Sequence, residues 1–228
     1  KALTSIVIPS GVSYIGIGAF KDCANISSPI VIPNGVTRIN DEVFMYCHKI
    51  PSIDIPASVT RIDQWAFREC YKLSSIVIPS RVSYIGIGAF TECSSITSIV
   101  IPNGVTKILA STFSNCASLS SVTLPSSVTE IQGYAFSYTS LSSIVIPSSV
   151  TNIGNNSLIL TGGFVETTMT NKVFRLSVDH ELKVEITLLK PLRISRQGHN
   201  ILYLPKKNFI VVCGGQSLNS SEYIDLSK

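Results

Sequence analysis

The stretch Ser74–Cys93, SSIVIPSRVSYIGIGAFTEC, decides the fold, because versions of it precede and follow it at nearly fixed spacing. Seven prolines mark the period: Pro9, Pro33, Pro56, Pro79, Pro102, Pro125 and Pro147, spaced by 24, 23, 23, 23, 23 and 22 residues. A repeat of this length signals a stacked architecture, in which one unit cannot bury its apolar face alone and its neighbours bury it instead.

Column by column, the unit separates into parts. Isoleucine or valine stands three residues before each proline and isoleucine or leucine one before. Valine follows three after and isoleucine six after. The segment before each proline, such as Ser75-Ile76-Val77-Ile78, alternates at period two and is β-branched, which predicts a short strand. Proline lacks the N–H that a ladder needs, so it suits the strand's end, with Asn-Gly or Ser-Ser making the corner. A second extended piece follows, Val82–Ile85 in this unit, and then Ala89-Phe90 opens a compact turn or short helix. Phe20, Phe44, Phe67, Phe90, Phe113 and Phe136 hold one column. The prediction is an all-β, parallel β-solenoid of six to seven coils, with strands about 4.8 Å apart and a length of roughly 30 Å.

The pattern C-x-x-L-x-x-I-x-I-P-x-x-V-x-x-I-x-x-x-A-F-x-x-C, read from Cys70 to Cys93, resembles the BspA-like (Treponema-type) leucine-rich repeat, and the resemblance covers Leu3 to about Leu158. It implies a curved parallel solenoid that binds proteins, often at the surfaces of bacteria and parasitic protists, and it implies no catalytic residues. Thr139 stands where the unit expects cysteine, and Asn155-Asn156-Ser157-Leu158 replaces the Ala-Phe turn of the seventh unit, so the repeat is expected to end there.

Beyond Leu158 a longer period takes over. Leu158–Gly163 matches Phe209–Gly215, each an apolar strand closed by two glycines, and each is followed by an aromatic-led strand, Val173–Leu176 and Tyr223–Leu226. Lys183–Leu189 and Ile201–Leu204 read as further strands, with an Arg193–His199 lead-in. This segment is similar to the Kelch repeat of β-propellers, without the usual tryptophan. The expected domains are a solenoid over 1–157 and antiparallel Kelch-like propeller-type strands over 158–228. About six strands cannot close a propeller, so further blades, pairing with another chain or capping of the last coil are all open. A chain that starts within a repeat and stops within a blade is expected to be part of a larger chain or assembly.

Composition narrows the chemistry. The chain has 228 residues, is 45% hydrophobic and 14% charged, and carries a net charge of +4 with no basic cluster to mark a nucleic-acid face. No apolar run approaches the length of a membrane helix, so no membrane insertion is expected. Cys23, Cys47, Cys70, Cys93 and Cys116 form a column, with Cys213 apart. Parallel side chains point the same way, which favours buried free thiols over disulfides, and no C-x-x-C pair suggests zinc. His48, His180 and His199 sit in no nucleophile or metal motif. Neither an enzyme nor a bound cofactor is expected. Asn25, Asn155 and Asn219 are glycosylation acceptors if the chain is secreted.

Recognition should therefore sit on the variable columns. Five residues after the prolines come Tyr14, Arg38, Arg61, Tyr84, Lys107, Glu130 and Asn152, a mixture of aromatic and basic side chains favoured at binding hot spots. Two residues before them come Val7, Val31, Asp54, Val77, Val100, Thr123 and Val145, which alternation points outward. This stripe is either a binding face or simply a β-branched solvent face. The candidate partner-binding residues are Tyr14, Arg38, Arg61, Tyr84, Lys107, Val7, Val31, Val77 and Val100. The expected function is a non-enzymatic scaffold presenting an extended surface to a protein partner, in the cytoplasm or a cytoskeletal assembly. The alternative is a cell-surface adhesin for host or matrix proteins.

Overall fold

The computed structural model describes residues 3–141, 144–147 and 149–154, and the backbone of four strands between 174 and 214. Alternation in the proline-flanked segments gives two ladders of very short strands. The first holds β1 (Ile30–Val31), β3 (Ile53–Asp54), β6 (Ser98–Val100), β8 (Ser121–Thr123) and β10 (Val145–Ile146). The second holds β2 (Arg38–Ile39), β4 (Arg61–Ile62), β5 (Tyr84–Ile85), β7 (Lys107–Ile108), β9 (Glu130–Ile131) and β11 (Asn152–Ile153). Within both ladders, paired strands of successive coils run parallel and like sits over like: Ile30 partners Ile53, Ile99 partners Val122, and Ile39, Ile62 and Ile85 stand in line. Between the ladders the carbonyl of each of the seven repeat prolines accepts the N–H of the valine three residues on, from Val12 to Val150, at 3.0–3.1 Å. Proline thus ends one strand and anchors the turn to the next.

The result is a parallel β-solenoid of about five turns, against six to seven coils expected. The first coil carries no assigned strand and the seventh is described only in part.

The Ala-Phe segment is a pair of turns, and among the described residues there is no helix. Two positions in each coil, nine and thirteen residues after the proline, take positive φ: Glu42 and Tyr46, Trp65 and Glu69, Gly88 and Glu92, Ser111 and Asn115, Tyr134 and Tyr138. A left-handed residue breaks the i→i−4 pattern, so the intervening amides divide their bonds. The N–H groups of Ala89, Thr91 and Cys93 close on carbonyls three residues back, whereas those of Gly88, Phe90 and Glu92 reach Ala110, Thr112 and Ser114 of the next coil at 3.0, 2.9 and 2.8 Å. The same three bonds recur at each of the five junctions from the first coil to the sixth. A left-handed non-glycine residue costs roughly 1–2 kcal/mol, which a net hydrogen bond of about 1 kcal/mol does not offset alone. The side chains inside the turn supply the rest.

Those side chains are the phenylalanines. Phe20, Phe44, Phe67, Phe90, Phe113 and Phe136 form one stack, with centroids 5.3, 5.6, 5.2, 5.4 and 5.5 Å apart and planes within 14° of parallel. All but Phe20 are buried. Burying each contributes about 1.5–3 kcal/mol, and each stacked pair about 0.5–1.5 kcal/mol more. The isoleucine and valine columns complete a single core running the length of the solenoid.

The corners vary. Where serine stands two after the proline, its hydroxyl donates to the valine carbonyl of the preceding coil, as Ser58 does to Val36 and Ser127 to Val105, both at 2.7 Å. Gly35 and Gly104 instead lie against the preceding Val12 and Val82 carbonyls, which a Cβ would meet at 3.0 Å. At these two junctions neither strand ladder is paired, yet the turn bonds are complete.

Four further strands follow: β12 (Phe174–Val178), β13 (Val184–Leu188), β14 (His199–Leu204) and β15 (Phe209–Gly214). They form two antiparallel pairs, β12 with β13 and β14 with β15. Strand β13 also runs antiparallel to β10, with Val145 opposite Glu185. His199 is expected in a lead-in but lies inside β14, opposite Gly214. The expected strands Leu158–Gly163 and Tyr223–Leu226, and the repeat's end at Asn155, fall outside the described residues.

Replacing Phe90 by alanine removes two ring stacks and leaves a void that the neighbouring coils cannot fill without breaking the turn bonds. Urea unfolding should register a loss of about 3–5 kcal/mol; a loss below about 1 kcal/mol would mean that the stack contributes little.

Candidate partner-binding surface

Strand alternation turns two columns outward. On the first ladder Val7 is 89% exposed and Val77 80%, and Val31, Val100 and Val145 are exposed as well. The stripe is interrupted, because Asp54 pairs in register with Val31 and Thr123 with Val100.

On the second ladder parallel register stacks Arg38, Arg61 and Tyr84 on successive coils. Tyr14 occupies the same column on the first coil and is 70% exposed. Lys107 stands apart from this group. No strand pairing links it to Tyr84, and its ammonium is held at 2.8 Å by Glu130, whose carboxyl is lowered in pKa by that bond and by Gln132. The five polar candidates therefore divide into three in paired register, Arg38, Arg61 and Tyr84, with Tyr14 on the unpaired first coil, and a lysine already paired on an exposed face, where such a pair contributes little.

The sequence reading missed Asp63. It stands seven after its proline, in a column that otherwise holds Gly16, Asn40, Gly86, Leu109, Gln132 and Gly154. Its side chain is only 3% exposed, and both carboxylate oxygens are engaged: Arg38 Nε donates to Oδ2, and Arg61 Nη2 donates to Oδ1 at 3.3 Å. The Arg61 guanidinium in turn lies over the Tyr84 ring, 4.0 Å from its centroid. Arginine side by side with arginine is destabilising, and the buried carboxylate beneath offsets it, raising the Arg38 pKa further. The available signal was an acidic residue two positions after an outward arginine, in a column of small or uncharged residues.

A second cluster, also missed, sits on the turn side. The His48 ring stacks on Tyr71 at 4.8 Å and meets Tyr46 edge-on. Tyr71 Oη donates to Glu69 at 2.7 Å, which raises the tyrosine pKa, and Arg68 also binds Glu69. His48 Nε2 lies 3.9 Å from Glu69. The ring stacking joins adjoining coils, while His48 Nε2 is buried without a hydrogen-bond partner.

The cysteine column is free, as favoured from the sequence. Each thiol from Cys47 to Cys116 donates to the phenylalanine carbonyl of the preceding coil, at 3.0–3.2 Å. Burial pushes Cys47 and Cys116 up to about 12 and Cys70 and Cys93 well above the usual thiol value. Among the described residues, no group of histidine, cysteine and acidic side chains could hold a metal ion, and no helix is long and apolar enough to cross a membrane. Cys213 lies in β15, whose side chains are outside the described residues.

The sequence profile of the BspA type leucine rich repeat region matches residues 1–116 and 83–177, in six copies. Among solved structures the chain is similar to a leucine rich cell surface protein from Faecalibacterium prausnitzii, at 34% identity and a TM-score of 0.65, over 70% of this chain and 46% of that one. It is also similar to the T. pallidum leucine rich repeat protein, at 27% identity and a TM-score of 0.57, over 68% of this chain and 71% of that one. The chain thus spans about half of the first relative's length. No curated protein matches the sequence.

Thiol labelling should follow burial. Iodoacetamide at pH 8, read by mass spectrometry, should modify the half-buried Cys23 first and leave Cys70, Cys93 and Cys116 unmodified until the chain unfolds. Because the folded thiol pKa values lie above the unfolded value, their contribution is complete below about pH 9 and is lost as pH rises towards 12, by up to about 1.4 kcal/mol per pH unit per thiol. Melting temperatures that stay level from pH 8 to 11 would contradict this.

Proposed function

Because the chain belongs to the BspA-type leucine-rich repeat family, we propose that it is a non-enzymatic interaction scaffold that presents the outward columns of its solenoid to a protein partner. The observation that carries this reading is the row Arg38, Arg61 and Tyr84, in register on successive coils with the Arg61 guanidinium over the Tyr84 ring, and Tyr14 exposed in the same column on the first coil. Rigid aromatic and arginine side chains lose little entropy on binding and dominate hot spots. Val7, Val31, Val77 and Val100 supply apolar area on the neighbouring ladder, and Lys107 supplies a charged rim. The match is to a repeat family and not to an enzyme family.

The adhesin reading gains from the comparisons. The F. prausnitzii relative is a cell surface protein, and at 34% identity that favours a surface location over the cytoplasm or a cytoskeletal assembly. Buried thiols are compatible with either compartment, since burial protects them from oxidation. As a working division we assign 1–157 to the solenoid and 158–228 to a second, Kelch-like segment. The second segment holds the antiparallel pairs β12–β13 and β14–β15. The family match continues past that boundary to residue 177, as does the contact of β13 with β10.

Immobilised protein should recover a discrete partner from extracts of surface or matrix proteins. Alanine at Tyr14, Arg38, Arg61 and Tyr84 together should abolish recovery with the circular dichroism spectrum unchanged, each single change weakening binding by roughly 30-fold at a hot spot. Equal recovery by the quadruple variant would remove the column from consideration.

A further inference from the structure

We infer that Arg38 and Arg61, fixed from below by Asp63, form a fork for one carboxylate of the partner, an aspartate or glutamate side chain whose apolar neighbours lie on Tyr14 and Tyr84. The inference rests on the binding-surface reading and names the chemistry of its centre. Parallel register places the two arginines one coil apart, about 4.8 Å, a separation that a single carboxylate can bridge. Arg38 and Arg61 side chains are 48% and 42% exposed, so their guanidiniums are reachable. Arg38 spends Nε on Asp63, and among the described residues its terminal nitrogens meet no acceptor. Arg61 gives Nη2 to Asp63 and its Nε is buried without a hydrogen-bond partner, which leaves Nη1 as its outward donor.

A buried carboxylate is costly to maintain unless it is paired, and a structural tie between coils is already provided here by the turn bonds and the isoleucine column. Asp63 instead fixes the rotamers of two long side chains on the outer face, which removes the entropy cost of ordering them on binding. Asp63 is accordingly a positioning residue. Asp41, the other acidic group near Arg38, has its Oδ1 taken by the Gln64 N–H at 2.9 Å. With Asp41 and Asp63 both beside the arginines the cluster carries no net positive charge, and the two carboxylates repel a dianion more than a monoanion. The site therefore suits a monoanionic carboxylate better than a phosphate, and recognition depends on directed N–H donors more than on net charge.

The test uses the full chain and three N-acetylated pentapeptides that carry glutamate, glutamine or phosphoserine between apolar residues, with affinity read by fluorescence anisotropy at low salt. The glutamyl peptide should bind at least about tenfold more tightly than the glutaminyl one, and no less tightly than the phosphoseryl one. Arg61→Lys keeps the charge but removes the fork, and it should erase the preference, as should Arg38→Gln. Asp63→Asn should weaken glutamyl binding, and Lys72→Ala, an exposed cation outside the group, should leave it unchanged. Thermal melts establish that each variant is folded. The inference is overturned if glutamyl and glutaminyl peptides bind alike or not at all, if the phosphoseryl peptide binds more tightly, or if Asp63→Asn strengthens binding, which would make Asp63 a competitor for the arginines. If the peptides fail while the quadruple variant still loses its partner, the carboxylate fork falls and the binding surface stands.

Discussion

The coils are held in register by the alternating amides of the Ala-Phe turn. At every junction from the first coil to the sixth, three N–H groups cross to the next coil while the intervening ones close within their own. This alternation requires left-handed backbone at two positions per coil, filled mostly by residues other than glycine. The stacked phenylalanines inside the turn offset that conformational cost, so the hydrogen bonds and the aromatic stack depend on each other. Where glycine takes the corner, both strand ladders lapse and the turn bonds still join the coils.

With coil spacing set by the turn, the opposite walls of the solenoid can consist of strands two or three residues long. Such strands could not pair stably by themselves. Their value lies in placing one outward side chain per coil at a constant interval. That regularity brings Arg38, Arg61 and Tyr84 into a row and sets a carboxylate beneath two of them. The proposed binding group draws on successive coils and so depends on the integrity of each, which would tie recognition directly to the core.

Much of this was legible in the sequence. The proline spacing and the isoleucine, valine and phenylalanine columns identify the period and the core, because a packed column tolerates few residue types. Period-two alternation correctly turned Val7 and Val77 outward, and the variability of its column marked Tyr14 as exposed. The turn was ambiguous between helix and loop, since Glu42, Trp65 or Ser111 at a left-handed position carries none of the signal that glycine would. Asp63 was hidden for a different reason: its partners lie on two coils, and a column reading compares like positions instead of positions offset by two. The cysteines were placed as buried thiols because stacked parallel side chains point the same way, but their bonds to phenylalanine carbonyls of the preceding coil depend on stacking geometry. Four of the C-terminal strands were anticipated, whereas the pairing of β13 with β10 links segments of different period and left no pattern to detect.

Native-state hydrogen exchange tests the central claim most directly at the junction between the fourth and fifth coils, where neither strand ladder is paired. If the turn holds the coils together, the amides of Gly88, Phe90 and Glu92 should exchange as slowly as those of Glu42, Phe44 and Tyr46, where both ladders also contribute. Exchange at Gly88, Phe90 and Glu92 as fast as at the exposed corner amides of Asn103 and Gly104 would contradict the account.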